Sequence, residues 1–338
     1  MELSQAITLF IFSASLIAFA GTKLSRTADQ LADLTGMGEA LFGAIFLGAV
    51  TSLSGVITSV TAAFNNHPEL AVSNAIGGIA VQTVFLSIAD ISYKRVNLEH
   101  AAASFANLMY GVLLLGLLSI VLIGFSGPDI SLFRIHPLSI LIIIFYIAGS
   151  KLISSAREKP MWKPKITVET VRDLPDQEHL KNLSLKKVII KFILLALAVS
   201  VSGYAVAESG IVIAATTGLS ESFVGTLLTA VATSLPELIV SIAAVRQNAL
   251  TLAVGNIIGG NSFDVLFVAF ADIAYRNGSI LHAVTRNQFF IVALTMLMVS
   301  TLILGLLHRE QKGIGSIGWE SFLIIILYIA GNSFLLFV

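Results

Sequence analysis

The chain repeats itself. Gly43 to Ile91 aligns without a gap onto Gly225 to Ile273 at a constant offset of 182 residues, and 19 of the 49 positions are identical. Thr51-Ser52-Leu53 falls on Thr233-Ser234-Leu235, and Asn74-Ala75-Ile76-Gly77-Gly78 falls on Asn256-Ile257-Ile258-Gly259-Gly260. Ala89-Asp90-Ile91 falls on Ala271-Asp272-Ile273, and Tyr146-Ile147-Ala148-Gly149 falls on Tyr328-Ile329-Ala330-Gly331. A repeat of this length means two copies of one structural unit, so the fold of one half dictates the fold of the other.

The unit is a set of membrane spans. Hydrophobic residues make up 56% of the 338 positions and charged residues only 12%, half of the roughly 25% charge of a soluble domain. Apolar runs lie near 5–34, 38–64, 69–91, 102–125, 136–154, 188–214, 220–245, 249–274, 286–307 and 318–337. Each is long enough to cross a bilayer, which takes about 20 residues. Glu2 is the only charge before the first run, so that run reads as a span and not as a signal peptide. The expected fold is an all-α integral membrane protein of ten transmembrane helices. The first five-helix repeat covers 1–155, a cytoplasmic loop 156–186, and the second repeat 187–338. Five is odd, so the halves enter the membrane from opposite sides. Inverted-topology repeats of this kind are built around a substrate site near the midplane.

Charge sets the orientation. With the N-terminus outside, about 17 Lys and Arg residues fall on the inner connections or the central loop, and only Arg134, Arg276 and Arg286 fall outside. Both termini are then expected outside and the central loop in the cytoplasm. The loop is too short for a calcium-sensor domain, which points to a prokaryotic plasma membrane. Lys+Arg and Asp+Glu balance at 20 each, which leaves no basic footprint for nucleic acid. The absence of cysteine excludes disulfides, thiolate metal sites and cysteine nucleophiles. His67, His100, His136, His282 and His308 lie near span ends, with no pair at metal-ligand spacing, so enzymatic chemistry is not expected.

Polar residues inside a bilayer are costly unless they are paired or line a cavity. The densest set lies in the second half. Span seven reads Thr233-Ser234-Leu235-Pro236-Glu237, and Pro236 is expected to disrupt its helix and release carbonyls. Span eight reads Gly255-Asn256-Ile257-Ile258-Gly259-Gly260-Asn261-Ser262-Phe263-Asp264, with glycines that allow close backbone approach. Glu237 and Asp264 have no basic residue in the spans to neutralise both. With hydroxyls and freed carbonyls they form a hard-oxygen set suited to Na⁺ or Ca²⁺. Asp90 and Asp272 stand beside Lys94, Arg95 and Arg276 near span ends and are expected to form interfacial ion pairs.

The Thr-Ser-Leu-Pro-Glu run followed by Gly-Asn-Ile-Ile-Gly-Gly-Asn-Ser-Phe-Asp resembles the second α-repeat of the sodium/calcium exchanger (cation/Ca²⁺ antiporter) superfamily. The resemblance covers essentially the whole chain. It implies a central site binding Na⁺ and Ca²⁺ alternately, with Thr233, Ser234, Glu237 and Asp264 as ion ligands. In the first repeat Thr51 and Ser52 match that pattern. Ser54 replaces the proline, Gly55 the glutamate and Ile79 the asparagine after Gly77-Gly78. Gln82 stands opposite Asp264, and Gly260 replaces a serine ligand of the family.

The expected function is therefore a cation antiporter working by alternating access. Glu237 and Asp264 supply charge. Thr51, Ser52, Thr233, Ser234 and Gln82 supply neutral oxygens, and Pro236, Gly55, Gly259, Gly260, Asn261, Gly77 and Gly78 break or pack the helices. Spans one and six are expected to slide against this bundle. Inorganic cations and the bilayer are the expected partners, without organic cofactor; Na⁺, Ca²⁺ or H⁺ would be substrates. Two carboxylates balance one Ca²⁺, two Na⁺, or one Na⁺ and one H⁺, so exchange is expected to be electroneutral or confined to monovalent ions. An Na⁺/H⁺ or K⁺/H⁺ exchanger on the same fold, and an ion-binding protein without turnover, are the alternatives.

Overall fold

The structure is a computed structural model. It describes all residues except 36–40, 94–95, 103, 159, 169, 171–183, 312, 314–316 and 338. Lys94, Arg95, Lys312 and much of the expected loop 156–186 lie outside the described residues. Among the described residues, nine helices are long and apolar enough to cross a membrane, and a bent pair makes a tenth span. In chain order these are Leu3–Thr35, the pair Ile45–Thr51 and Leu53–Phe64, Pro68–Ser92, Phe105–Ser126, Pro137–Arg157, Leu185–Thr217, Glu221–Arg246, Leu250–Ala274, Arg286–His308 and Trp319–Phe337. We refer to them as the first to tenth spans.

The connections gather at two ends, as crossing in alternate directions requires. At one end Asn97, after the third span, donates to the carbonyl of Glu310, after the ninth. There the Arg309 guanidinium also bonds the carbonyls of His100 and Lys165, the latter in the central segment. At the opposite end His67 Nδ1 lies 2.6 Å from Glu221 Oε1, Asn277 donates to Asn66, and Arg134 donates to the carbonyl of Arg276. We call these the loop end and the far end.

The third and eighth spans run through the middle, mostly buried. The first and sixth spans, 33 residues each, lie outermost and pack together. Their glycines let them approach the bundle closely, and do so in equivalent ways. A Cβ on Gly21 would lie 2.5 Å from Pro236 Cγ, and a Cβ on Gly203 would lie 2.8 Å from the carbonyl oxygen of Ser54. The 182 offset relates Gly21 to Gly203 and Ser54 to Pro236.

Two expectations need correction. Pro236 does not break its span: Ala230–Arg246 is one helix with Pro236 inside it, preceded by a π-helical stretch Val224–Thr229. Membrane helices tolerate proline where neighbours support the weakened turn; Pro236 leaves the Ala232 carbonyl without its helical donor, and on the adjacent residue Ser54 Oγ donates to the Thr233 carbonyl at 3.0 Å. The sharp bend, 65°, is in the second span at Ser52, where there is no proline. Asp272 also does not pair with Arg276. Its carboxylate accepts the backbone N–H of His136 and Ile280 and the hydroxyls of Ser139 and Ser279. Asp90 accepts the N–H of Leu98 and Gly318. A buried carboxylate is satisfied as well by aimed N–H groups as by a cation.

Candidate ion site

The bend of the second span faces an interruption in the eighth. The eighth span is helical over Leu250–Asp264 and resumes at Leu266–Ala274, so Asp264 ends a helix in the protein interior. Ser52, with φ −86° and ψ 8°, marks the second-span bend. Its Oγ donates to Asp264 Oδ1 at 2.5 Å. From the third span, Gln82 Nε2 donates to Asp264 Oδ2 at 2.6 Å and to Ser234 Oγ at 3.3 Å. All four residues are buried. The repeat offset maps Ser52 onto Ser234 and Gln82 onto Asp264. The Ser52–Asp264 and Ser234–Gln82 contacts are therefore equivalent, and the Gln82–Asp264 bond joins the two repeats across their pseudo-axis.

Glu237 lies one turn after Ser234 on the same helix face. Its Oε2 is buried and has no hydrogen-bond partner. Gln82 Oε1 and Asn261 Oδ1 share that condition. Gln82 Oε1 is 3.8 Å from where a Cβ on Gly260 would stand, so the missing side chain leaves that oxygen open. Asn261 Nδ2 donates to the Ile79 carbonyl at 3.4 Å and to Thr83 Oγ1 at 3.3 Å, which ties the third and eighth spans together. The orphaned atoms here are all oxygens that accept. Buried polar groups are normally paired, and a cation would satisfy these acceptors.

The other expected ligands fare unevenly. Thr51 Oγ1 bonds the Leu47 and Gly48 carbonyls of its own helix, both at 3.1 Å. Thr233 Oγ1 bonds the Thr229 carbonyl at 2.9 Å and approaches Asn74 Oδ1 at 3.5 Å. Neither threonine hydroxyl is in the Ser52–Asp264–Gln82–Ser234 network. Gly78 abuts it: a Cβ there would lie 3.7 Å from Ser234 Oγ. Gly77 packs away, against the seventh-span backbone, where a Cβ would be 2.5 Å from Thr226 Cα.

Three contributors were not expected from the sequence. Asn74 holds the bent second span, donating to the Gly55 carbonyl at 3.3 Å and to Ser59 Oγ at 2.9 Å. Ser54 occupies the Thr233 carbonyl. Phe267 fills the position of an absent acid: a Cβ on Gly55 would lie 2.5 Å from Phe267 Cε2. The repeat alignment signalled Asn74 through its match to Asn256. Nothing in it signalled Phe267, whose counterpart Phe85 is also phenylalanine.

Residues 5–151 and 187–337 match the family model described as sodium/calcium exchanger protein. The inner membrane protein YrbG of Escherichia coli is 26% identical over 314 residues, covering 91% of this chain and 90% of that one. A putative antiporter, CaxA of Alkalimonas amylolytica, is 25% identical over 338 residues, covering 98% and 96%. Among solved structures, the H⁺/Ca²⁺ exchanger CAX superposes with a TM-score of 0.72 at 14% identity, covering 98% of this chain and 84% of that one.

Proposed function

The chain belongs to the sodium/calcium exchanger family, an integral membrane family of transporters and not of enzymes, and we propose that it is a cation antiporter working by alternating access. Asp264 and Glu237 carry the charge of its site. Ser52, Ser234 and Gln82 position Asp264 and complete the oxygen set, while Thr51 and Thr233 shape the helices that present it. The observation that carries this reading is the set of buried acceptor oxygens without donors, Glu237 Oε2, Gln82 Oε1 and Asn261 Oδ1, on residues that bond Asp264 or stand one helical turn from the network it anchors. The names of an antiporter relative and of an H⁺/Ca²⁺ exchanger neighbour agree with it.

The ion pair follows from charge. The site holds two carboxylates, and the slot of a third is occupied by the Phe267 ring. Uncompensated charge in a low-dielectric site is expensive. Two acids balance one Ca²⁺ or two monovalent ions, so exchange is electroneutral or monovalent. The same observation supports the second reading, an Na⁺/H⁺ or K⁺/H⁺ exchanger. The protein sits in a prokaryotic plasma membrane with the central loop in the cytoplasm and both termini outside.

Flux into proteoliposomes tests transport itself, and its absence for every cation would leave a binding protein without turnover. Calcium-45 uptake against a sodium gradient separates the two ion readings. Currents on a solid-supported membrane test the charge balance: sustained current with three-to-one sodium coupling would show the two-acid count wrong. For orientation, cysteines placed at Lys165 should label only from the cytoplasm and at Pro128 only from outside.

A further inference from the structure

The 182 offset also relates two clamps at opposite ends of the molecule, and there the repeats part company. At the far end, Asp272 accepts the N–H groups of Ile280 and His136, each at 2.7 Å. At the loop end, Asp90 accepts the equivalent N–H groups, from Leu98 at 2.7 Å and from Gly318 at 3.1 Å. One carboxylate thus ties a connection to a span start in both places. The flanking residues differ in kind. Leu281 and Leu138 at the far end are replaced at the loop end by Glu99 and Glu320.

Both glutamates are enclosed, Glu99 at 1% exposure and Glu320 at 0%. Ser321 Oγ donates to Glu99 Oε1 at 3.0 Å. Glu99 Oε2 and both carboxyl oxygens of Glu320 are buried without a hydrogen-bond partner. The Glu320 carboxyl is wedged between two glycines: a Cβ on Gly305 or on Gly318 would lie 2.7 Å from its Oε1. His308, at the end of the ninth span, and Glu310, just after it, are the titratable side chains on that side of Glu320. His100, beside Glu99, directs Nδ1 to the Arg309 carbonyl and Nε2 to Thr167 Oγ1. The Arg309 guanidinium is engaged with the carbonyls of His100 and Lys165 and with Thr170 Oγ1. Among the described residues no ion pair is made by Asp90, Glu99 or Glu320; Lys94, Arg95 and Lys312 lie outside them.

The far end shows that leucine serves the fold at these two positions, so the carboxyls have another task. Three carboxyls enclosed side by side are not all ionised together, because desolvation and mutual repulsion both favour the neutral acid. We propose that Asp90, Glu99 and Glu320 form a proton-binding site at the loop end of the third and tenth spans, distinct from the ion site, whose ionisation loosens the clamp between them. The ligand is a proton and not a metal: among the described residues no group of three His, Cys, Asp or Glu side chains is arranged to hold a metal ion. Burial, then the neighbouring carboxyls of Asp90 and Glu320, push the Glu99 carboxyl up to about 8. A carboxyl raised in this way is protonated in the fold at neutral pH. Its burial costs stability increasingly as pH rises from the ordinary carboxylate range, about 4.3, to about 8, above which the site is charged.

Trp319 adjoins Glu320, and Trp162 is the only other tryptophan. In a Trp162→Phe background, the emission of Trp319 should titrate with a midpoint near pH 8 in protein held in lipid nanodiscs with chelator present. Glu99→Gln should abolish that transition. The double variant Glu99→Leu/Glu320→Leu, which copies the far end, should fold, elute as the parent does and show no transition. A flat parent titration between pH 6 and 10, or a transition that survives Glu99→Gln with the same midpoint, would overturn the proposal. The readout requires no transport, so its failure is separate from any failure of the antiporter reading.

Discussion

The second and seventh spans carry the same Thr-Ser-Leu, at 51–53 and 233–235, yet the one without proline bends by 65° and the one with proline runs on as a helix. The third and eighth spans differ as well. On the third, Asn74 is 1% exposed, and Gly77 is pressed against the seventh-span backbone. On the eighth, Asn256 is exposed, and nothing described lies within 4 Å of a Cβ on Gly259. The two halves are thus the same parts in two settings: the third-span segment is closely packed at Asn74 and Gly77, and the eighth-span segment is exposed at Asn256. An inverted repeat whose halves adopt different conformations gives one-sided access, and exchanging the two conformations moves that access to the other side.

The largest test of this contrast removes the residue that joins the halves. Asp264→Asn should abolish transport while the protein folds. Several kcal/mol of ion binding are lost with an intramembrane charge, roughly a hundredfold or more in affinity at 1.4 kcal/mol per factor of ten. Glu237→Gln should do the same. Wild-type flux in either would sink the two-acid site. Next comes Gly55→Glu, which asks whether the first half can be made to resemble the second. Alone it should destabilise the protein, because Phe267 occupies the space and overpacking costs about 1–3 kcal/mol. Combined with Phe267→Ala it should recover folding and raise Ca²⁺ dependence of transport. A single variant as stable as the parent in thermal unfolding would show that the ring does not fill the slot.

A smaller effect concerns access. Since the chain has no cysteine, Asn256→Cys should react with a polar thiol reagent, and Asn74→Cys should stay protected. Equal labelling would erase the distinction between the exposed and the packed segment. The smallest expected change is in Ser54→Ala, which releases the Thr233 carbonyl and should cost about 1 kcal/mol of stability. No change in melting temperature would mean that turn is satisfied otherwise.

Much of this contrast was legible in the sequence, because it rests on periodicity and offset. Ten apolar runs fixed the spans, and the 182-residue offset set Gln82 opposite Asp264, where their side chains now bond at 2.6 Å. What the offset could not convey was conformation. Identical Thr-Ser-Leu segments give different backbones because their neighbours differ: Asn74 and Asp264 grip the second span at its bend, while Gly21 receives the Pro236 ring on the seventh. The proline was overread for the same reason, since local propensity yields to what packs around it. Phe267 stayed hidden because a phenylalanine in a span reads as lipid-facing or core packing, and only coordinates reveal which gap it fills. Asp272 stands near Arg276 in the sequence, whereas backbone N–H groups, which a sequence does not display, are among its partners in the fold.

The fit of Phe267 against Gly55 bears on how such a chain can evolve. A glutamate arriving first at position 55 meets an aromatic ring, and a small residue arriving first at 267 leaves a void, which for phenylalanine truncation costs about 3–5 kcal/mol. Each single change is destabilising although the pair together need not be. The packing makes positions 55 and 267 interdependent, so a carboxylate can return to the first copy of the duplication only together with a change in the second.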